Sequence, residues 1–313
     1  CRKNKKAVFM SGLGALPARF RRTRLLVVGC GDVGQRVATL WPSTHAPTLL
    51  ALTSTPARAQ VLRNLGVKPL YGNLDDPYSL VRLAGVASRV LYLAPPLGSG
   101  GTTDTRMWSF LQALAKRGVV RQLVYGSTSG VYGDCGGAWV DELRPTNAQS
   151  PRAQRRVSAE QAVRAYGRAF GVPTTVLRIP GIYAPDRAGG TPRARLERGA
   201  PVLDRDDDVF TNHIHADDLA RACRLALWGR ANYRAINVND DSALKMGDYM
   251  DLAATLYGLT KPARVTLEQA AHELSPMQLS FMQESRRLNN SRLKRELRMK
   301  LRYPSPAEGL LGG

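Results

Sequence analysis

The chain has 313 residues, with 45 Lys and Arg against 25 Asp and Glu, a formal net charge of +20. That length supports one large or two modest domains with an extensive core, and no apolar run approaches the ~18 residues of a membrane span. The four cysteines (Cys1, Cys30, Cys135, Cys223) form neither a CxxC pair nor a metal-ligand spacing, which suits a reducing cytoplasm and a chain with no metal site.

Residues 1–23 carry positive charge on a weakly apolar background broken by Ser11, Gly12 and Gly14, and read as a basic disordered leader, with Met10 a candidate start. The first element follows at once. An apolar run, Leu25 to Val28, breaks at Gly29, passes Gly31 and Gly34, and resumes with helical spacing at Val33, Val37 and Leu40. Gly29 permits the tight turn, Gly31 lets backbone approach a pyrophosphate, and Gly34 lets the helix pack closely on the strand. Asp32 and Val33 lie within the same turn.

Alternation then continues. Leu49–Thr53 predicts a strand, Ala57–Leu65 a helix, Val67–Tyr71 a strand, Tyr78–Ala84 a short helix, and Arg89–Ala94 a strand ending at Pro95-Pro96. Thr105–Lys116 predicts a helix, Gln122–Gly126 a strand, Ala153–Phe170 a long helix and Thr174–Ile179 a strand. This pattern implies an α/β Rossmann fold, a doubly wound parallel sheet over residues 24–180, with ligands at the carboxyl ends of its strands. Residues 181–313 read mostly as a smaller C-terminal substrate lobe, with about 215–240 (a helix at Asp217–Trp228, a strand at Ala235–Val238) returning to the core. The C-terminal third reads as mostly helical.

Cofactor choice follows from the end of the second strand. NAD-preferring sites place an acid about 20 residues beyond the glycine turn, to bond the ribose 2′-hydroxyl. Here Thr53-Ser54-Thr55 stands there, no Asp or Glu occurs between Val33 and Asn73, and Arg58 follows, with Arg63 a weaker second cation. Hydroxyls and a guanidinium favour the 2′-phosphate of NADP over NAD. Asn73, Leu74, Ala94 and Pro95 complete the expected cofactor set.

Val124 to Gly133, with its run Ser127-Thr128-Ser129-Gly130-Val131-Tyr132-Gly133, resembles the signature of the extended short-chain dehydrogenase/reductases, the NAD-dependent epimerase/dehydratase family. The resemblance continues through Asp141-Glu142, Arg178 to Pro185, and Asn212 to Leu219. It implies a hydride-transfer site built from a Ser or Thr, a Tyr, and a Lys four residues later, the Lys holding the nicotinamide ribose and lowering the Tyr pKa. Thr128 matches the hydroxyl. Counting back from Glu160 puts Arg156 where the Lys belongs and Arg152 where the Tyr belongs. A guanidinium cannot exchange protons near neutral pH, although Arg156 can still hold a ribose or phosphate. Tyr132 is the remaining phenol near Thr128. Gly72-Asn73-Leu74 departs mildly from the family's Gly-Asp-Leu, whose acid contacts adenine. The pattern is similar to atypical, sugar-nucleotide epimerase-like members. Two readings stay open: an NAD(P)-dependent oxidoreductase or epimerase acting on a sugar nucleotide or small carbonyl compound, and a non-catalytic NADP(H) sensor or scaffold.

Other constellations carry less. His213 and His215 share ligand-like spacing but lack a third ligand, so a structural role is expected. Asp204 to Asp208 read as a solvated hairpin turn before Phe210. The basic cluster from Arg286 to Arg302, with Arg292, Arg295 and Arg298 spaced by threes, reads as a solvated helix face rather than a nucleic-acid surface, since no aromatic residues interleave. A homodimer is compatible with this reading.

Overall fold

The computed structural model describes residues 23–41, 46–229, 231–273 and 284–311. All but the last residue of the basic leader lies outside them. In chain order the elements are β1 (Arg24–Val28), α1 (Asp32–Ala38), β2 (Thr48–Thr53), α2 (Pro56–Asn64), β3 (Lys68–Tyr71), a 3₁₀ turn (Pro77–Leu83), β4 (Arg89–Tyr92), α3 (Thr105–Ala115), β5 (Gln122–Thr128), a second 3₁₀ turn (Ser129–Tyr132), β6 (Trp139–Val140), α4 (Pro151–Phe170) and β7 (Thr174–Ile179). There follow β8 (Gly181–Tyr183), α5 (Arg193–Glu197), β9 (Val202–Leu203), β10 (His213–His215), α6 (Ala216–Trp228), β11 (Arg234–Asn237), α7 (Met246–Tyr257), β12 (Arg264–Val265), α8 (Leu267–Glu273) and β13 (Arg287–Leu288). Short helices at Ser291–Glu296 and Pro306–Gly309 end the described chain.

Seven strands form one parallel sheet in the order β11-β7-β5-β4-β1-β2-β3. The chain runs outward from β1 through β2 to β3, then crosses back to β4, which makes the β1/β4 junction the switch point where open α/β sheets bind ligands. Both faces are covered, and the alternation of side chains divides the core accordingly. Leu25 and Val27 pack with Val33, Val37 and Leu219 of α1 and α6, whereas Leu26 and Val28 pack with Phe110 and Ala159 of α3 and α4. β11 extends the sheet beyond β7, and α6 lies against α1, so residues of the second half complete the first.

Capping fixes the boundaries that the apolar pattern leaves loose. Ser150 accepts the Ala153 N–H at 3.2 Å, with Pro151 at the first helical position, so α4 begins two residues earlier than its periodicity predicts. Gly171 (φ +62°) closes it. Asp76 accepts the Tyr78 N–H and starts the short helix expected there, which is a 3₁₀ turn beginning one residue earlier, at Pro77.

Three expectations are corrected. Beyond α7 the described residues form only short helices and two-residue strands, not a mostly helical third. The acidic run is an exposed turn at Asp206 and Asp207, as expected, but Asp208 is buried, accepts N–H groups of Val209 and Gly247, and lies 3.5 Å from Arg264, while β9 pairs in parallel with β12 rather than closing a hairpin. Arg292 is not on a solvated helix face. It turns inward to Glu142 and the Ala235 carbonyl, and the helix ends at Glu296, before Arg298.

Candidate functional site

The glycine turn after β1 is shaped by backbone collisions. Gly29 has φ +84°, and a Cβ there would lie 2.4 Å from the Ala94 amide nitrogen, so β4 passes too closely for any side chain. A Cβ on Gly34 would lie 3.2 Å from the Gly29 carbonyl oxygen, which sets how closely α1 approaches the strand. A Cβ on Gly31 would meet nothing within 4 Å. The open space beyond it leads into a cavity of about 430 Å³.

That cavity follows the carboxyl edge of the sheet on the β1–β3 side of the switch point. Its walls include Gly29 and Gly31, the Thr53-Ser54-Thr55 run with Arg58, Asn73 and Leu74, and Ala94 and Pro95 at the end of β4. No acid lines it. Arg58 reaches from α2 to donate to the Cys30 carbonyl at 3.0 Å, placing its guanidinium beside the glycine turn. Burial pushes the Cys30 thiol up to about 11 against the opposing charge of Arg58, so this cysteine is a packing group rather than a nucleophile. Asn73 is exposed, and its side-chain oxygen accepts the Asp75 N–H at 3.0 Å, leaving one acceptor position and the amide donors. Arg63 is exposed and outside the cavity wall.

The sequence reading placed Asp32 and Val33 with this set. Val33 is buried beneath the turn, and Asp32 turns its carboxylate away from the cavity, onto Arg36 at 3.1 Å and Arg187 at 2.8 Å. Arg36 also holds Asp186 and Asp217, each at 2.6 Å, tying α1 to the loop after β8 and to α6. A second cavity of about 480 Å³ borders that ion cluster. It lacks the glycine turn and the end of β4, and so does not compete as a dinucleotide site.

The other side of the switch point is built by β5 and α4. Thr128 ends β5, and its Oγ1 accepts the Gly130 N–H at 3.2 Å. Beneath it, Ser127 donates to Glu160 at 2.7 Å, and Glu160 pairs through both oxygens with buried Arg178, at 3.1 and 2.9 Å. Arg178 in turn lies over the Tyr132 ring, 4.7 Å from its centroid. The Tyr132 phenol is buried, donates to Asn237 at 2.8 Å, and is pushed up to about 12, chiefly by burial. It lies outside the wall of the 430 Å³ cavity.

Arg156 points at the ends of two strands. One terminal nitrogen donates to the Gly126 carbonyl at 2.8 Å, the Tyr125 hydroxyl at 3.2 Å and the Ala94 carbonyl at 3.4 Å. Ala94 is shared with the cavity wall, so Arg156 fastens one edge of the cavity. Arg152 is exposed and has no hydrogen bond or ion pair among the described residues.

Two arginines escaped the sequence reading. Arg106 of α3 lines the cavity, pairs through two nitrogens with Asp75 (both at 2.6 Å), and donates to the Pro95 carbonyl. Nothing in its local sequence marks it. Arg155 is 4 % exposed and donates to the carbonyls of Gly98, Gly100 and Gly101. Its signal was present: positions 155, 159, 162 and 166 form one helical stripe, and the other three are apolar.

His213 and His215 are buried in an aromatic cluster. His213 stacks on Tyr249 with ring centroids 4.0 Å apart, and His215 on Tyr303 at 3.8 Å. Burial lowers both, His213 to about 4, so they pack as neutral rings. The described residues contain no group of three potential metal ligands among His, Cys, Asp and Glu, and no helix long and apolar enough to cross a membrane.

These features agree with the comparisons. A conserved protein of Silicibacter pomeroyi, of unknown function, superposes with a TM-score of 0.77 at 28 % identity, covering 92 % of this chain and 96 % of that one. UDP-glucuronic acid 4-epimerase from Bacillus cereus, in complex with NAD, gives 0.71 at 18 %, and UDP-glucose 4-epimerase from Thermotoga maritima 0.73 at 19 %, with the same coverage. A trifunctional UDP-glucose 4,6-dehydratase/UDP-4-keto-6-deoxy-D-glucose 3,5-epimerase/UDP-4-keto-L-rhamnose-reductase of Arabidopsis thaliana is 32 % identical over 166 residues, which is 50 % of this chain but only 24 % of that protein's length. The profile of the NAD dependent epimerase/dehydratase family matches residues 26–238, from β1 to the end of β11, and the chain belongs to that family.

Proposed function

We propose that the chain binds NADP(H) and acts as an oxidoreductase- or epimerase-like protein on a small carbonyl compound or sugar nucleotide. The observation that carries the cofactor assignment is the wall of the 430 Å³ cavity, which among the described residues holds hydroxyls and two guanidinium groups and no acid. A ribose 2′-hydroxyl asks for an acceptor, whereas a 2′-phosphate asks for donors and positive charge. In this reading the Gly29–Gly31 backbone faces the pyrophosphate, Thr53, Ser54 and Arg58 the 2′-phosphate, and Asn73 and Leu74 the adenine. Ala94, Pro95 and Arg156 border the nicotinamide end.

The cofactor supplies hydride chemistry, and the chain supplies orientation. Thr128 uses its oxygen to accept from Gly130, which leaves its O–H to donate to a substrate oxygen. Tyr132 is engaged with Asn237 and held far above neutrality, so we assign it to positioning and route the proton through water or the substrate. The free Cys30, Cys135 and Cys223 are in keeping with a reducing cytoplasm.

Titration with NADPH and NADH tests this. NADPH is expected to bind about tenfold tighter or more, the scale of a phosphate-to-arginine contact, and Arg58→Ala should remove most of that preference. Equal affinities in the native protein would overturn the NADP assignment. A second reading, a non-catalytic NADP(H) sensor, is favoured by one observation: the arginine in the place of the lysine is bound to two backbone carbonyls and a phenol. Tight NADPH binding with no oxidation across a panel of carbonyl and sugar-nucleotide compounds would select it.

A further inference from the structure

We infer that the reacting side of this site takes an anionic substrate, whose carboxylate or phosphoryl group is held by Arg152; the inference rests on the dinucleotide reading above. Arg152 and Arg156 are four residues apart on α4, hence on one face and about 6 Å apart at Cβ. Because Arg156 reaches the Ala94 and Gly126 carbonyls, Arg152 stands one turn further out over the same strand ends. The adjacent Ala153 brings this turn of α4 close to the end of β5: a Cβ on Gly130 would lie 4.0 Å from the Ala153 Cβ and 3.6 Å from the Thr128 Oγ1. The residue that stands where the resemblance expects the phenol is therefore on the turn of α4 that faces the end of β5.

Among the described residues no carboxylate pairs with Arg152. The first turn of α4 contains no acid. Glu160 is consumed by Arg178, Arg164 and Ser127, and Asp75 by Arg106. Asp104 is 1 % exposed and caps α3, and burial raises its carboxyl. Arg155 adds a buried positive charge directly beneath the loop that joins β4 to α3. It draws the carbonyls of Gly98, Gly100 and Gly101 inward. In a trans peptide the N–H points opposite the carbonyl, so the amides of Ser99, Gly101 and Thr102 face away from Arg155. All three residues are exposed, and none of these amides has a partner among the described residues. Arginine charge and outward amides make the edge of α4 and this loop complementary to an anion. A planar guanidinium grips two oxygens of a carboxylate or phosphoryl group at once, and so fixes the substrate's orientation where the phenol would have exchanged a proton.

The test is calorimetric titration of the NADPH-saturated protein with malonate and with inorganic phosphate, in the native chain, in Arg152→Gln, and in Arg168→Gln. The last removes the same charge from an exposed position at the far end of α4. Saturable binding is expected, weakened about tenfold by Arg152→Gln and unchanged by Arg168→Gln, as for loss of one charge-assisted contact. Preference for malonate identifies a carboxylate, and preference for phosphate a phosphoryl group. Absence of saturable binding by either probe, or equal weakening in the two variants, would overturn the inference. Failure of NADPH to saturate the native protein strikes instead at the cofactor reading, and the same comparison of variants without cofactor still reads Arg152.

Discussion

The two sides of the switch point are built on different principles. On the β1–β3 side the turn is shaped by backbone, through a glycine whose Cβ would strike Ala94 and an open position at Gly31, with hydroxyls and Arg58 along the rim. On the β5–α4 side the strand ends are fastened by side chains, Glu160, Arg178 and Arg156 among them. Thr128 ends β5, and on α4 Arg152 and Arg156 stand at the positions where the family resemblance leads one to expect a phenol and an ammonium. The lesson is that backbone requirements and chemical requirements separate within one fold. A cradle that depends on the absence of atoms tolerates almost no substitution, while a reacting face can exchange its groups and retain its shape.

The sharpest way to break the first side is Gly29→Val. The added Cβ would lie 2.4 Å from the Ala94 nitrogen at φ +84°, which a β-branched residue adopts only under strain. A loss of about 4 kcal/mol or more is expected, at the top of the range for single substitutions, read as a large fall in Tm. A native-like Tm would show that β4 gives way and that the close approach is not obligatory.

The corresponding break on the second side is Glu160→Gln. It removes the negative partner of buried Arg178 and the charged acceptor of Ser127. Removing one member of a buried pair costs about 3 kcal/mol or more. Denaturant unfolding should show it, with dinucleotide affinity changed far less, because Glu160 is not in the cavity wall. Parallel loss of both would mean that the two sides are one energetic unit.

A third measurement reads the segment that follows β11, apart from both sides. Burial pushes Asp240 up to about 7, with Asp241, Glu308, Tyr183 and Tyr249 around it. A carboxyl raised on folding binds its proton more tightly in the native state, so its stabilising contribution is complete below about pH 4 and is lost as pH rises through about 7. Asp240→Asn should flatten the decline in stability between pH 5 and 8 by on the order of 2 kcal/mol. An unchanged slope in Asp240→Asn would remove this group from the pH response.

Much of this organisation was legible in the residues. The glycine spacing, the missing acid after β2 and the Thr128 signature depend on short-range constraints that a sequence displays directly. Asp32 shows what a sequence hides. It lies in the glycine turn, yet Arg187, 155 positions away, and Arg36 draw its carboxylate to the opposite face of α1. Arg106 was hidden for the same reason, its partner Asp75 being set by tertiary packing. Arg155 was hidden only because a charged residue in an apolar helical stripe looks like an interruption; the glycine carbonyls that justify its burial belong to another loop.

Thr128→Val makes the finest cut between the two sides, because it removes one oxygen and preserves side-chain volume. That oxygen accepts the Gly130 N–H in the 3₁₀ turn after β5, a capping contact worth about 1 kcal/mol. A hydroxyl used only as a cap would therefore cost a few degrees in Tm and leave chemistry alone. If Thr128 also donates to the substrate oxygen, turnover should fall ~100-fold, the scale of a lost transition-state donor, with the Kd for NADPH unchanged. Comparison with Arg152→Gln then tells binding from reaction on the same face. The arginine variant should act on the affinity for the anion, and the threonine variant on kcat. Unchanged turnover in Thr128→Val would leave β5 with a structural hydroxyl only, and the α4 side would then be a binding surface throughout, as the sensor reading requires.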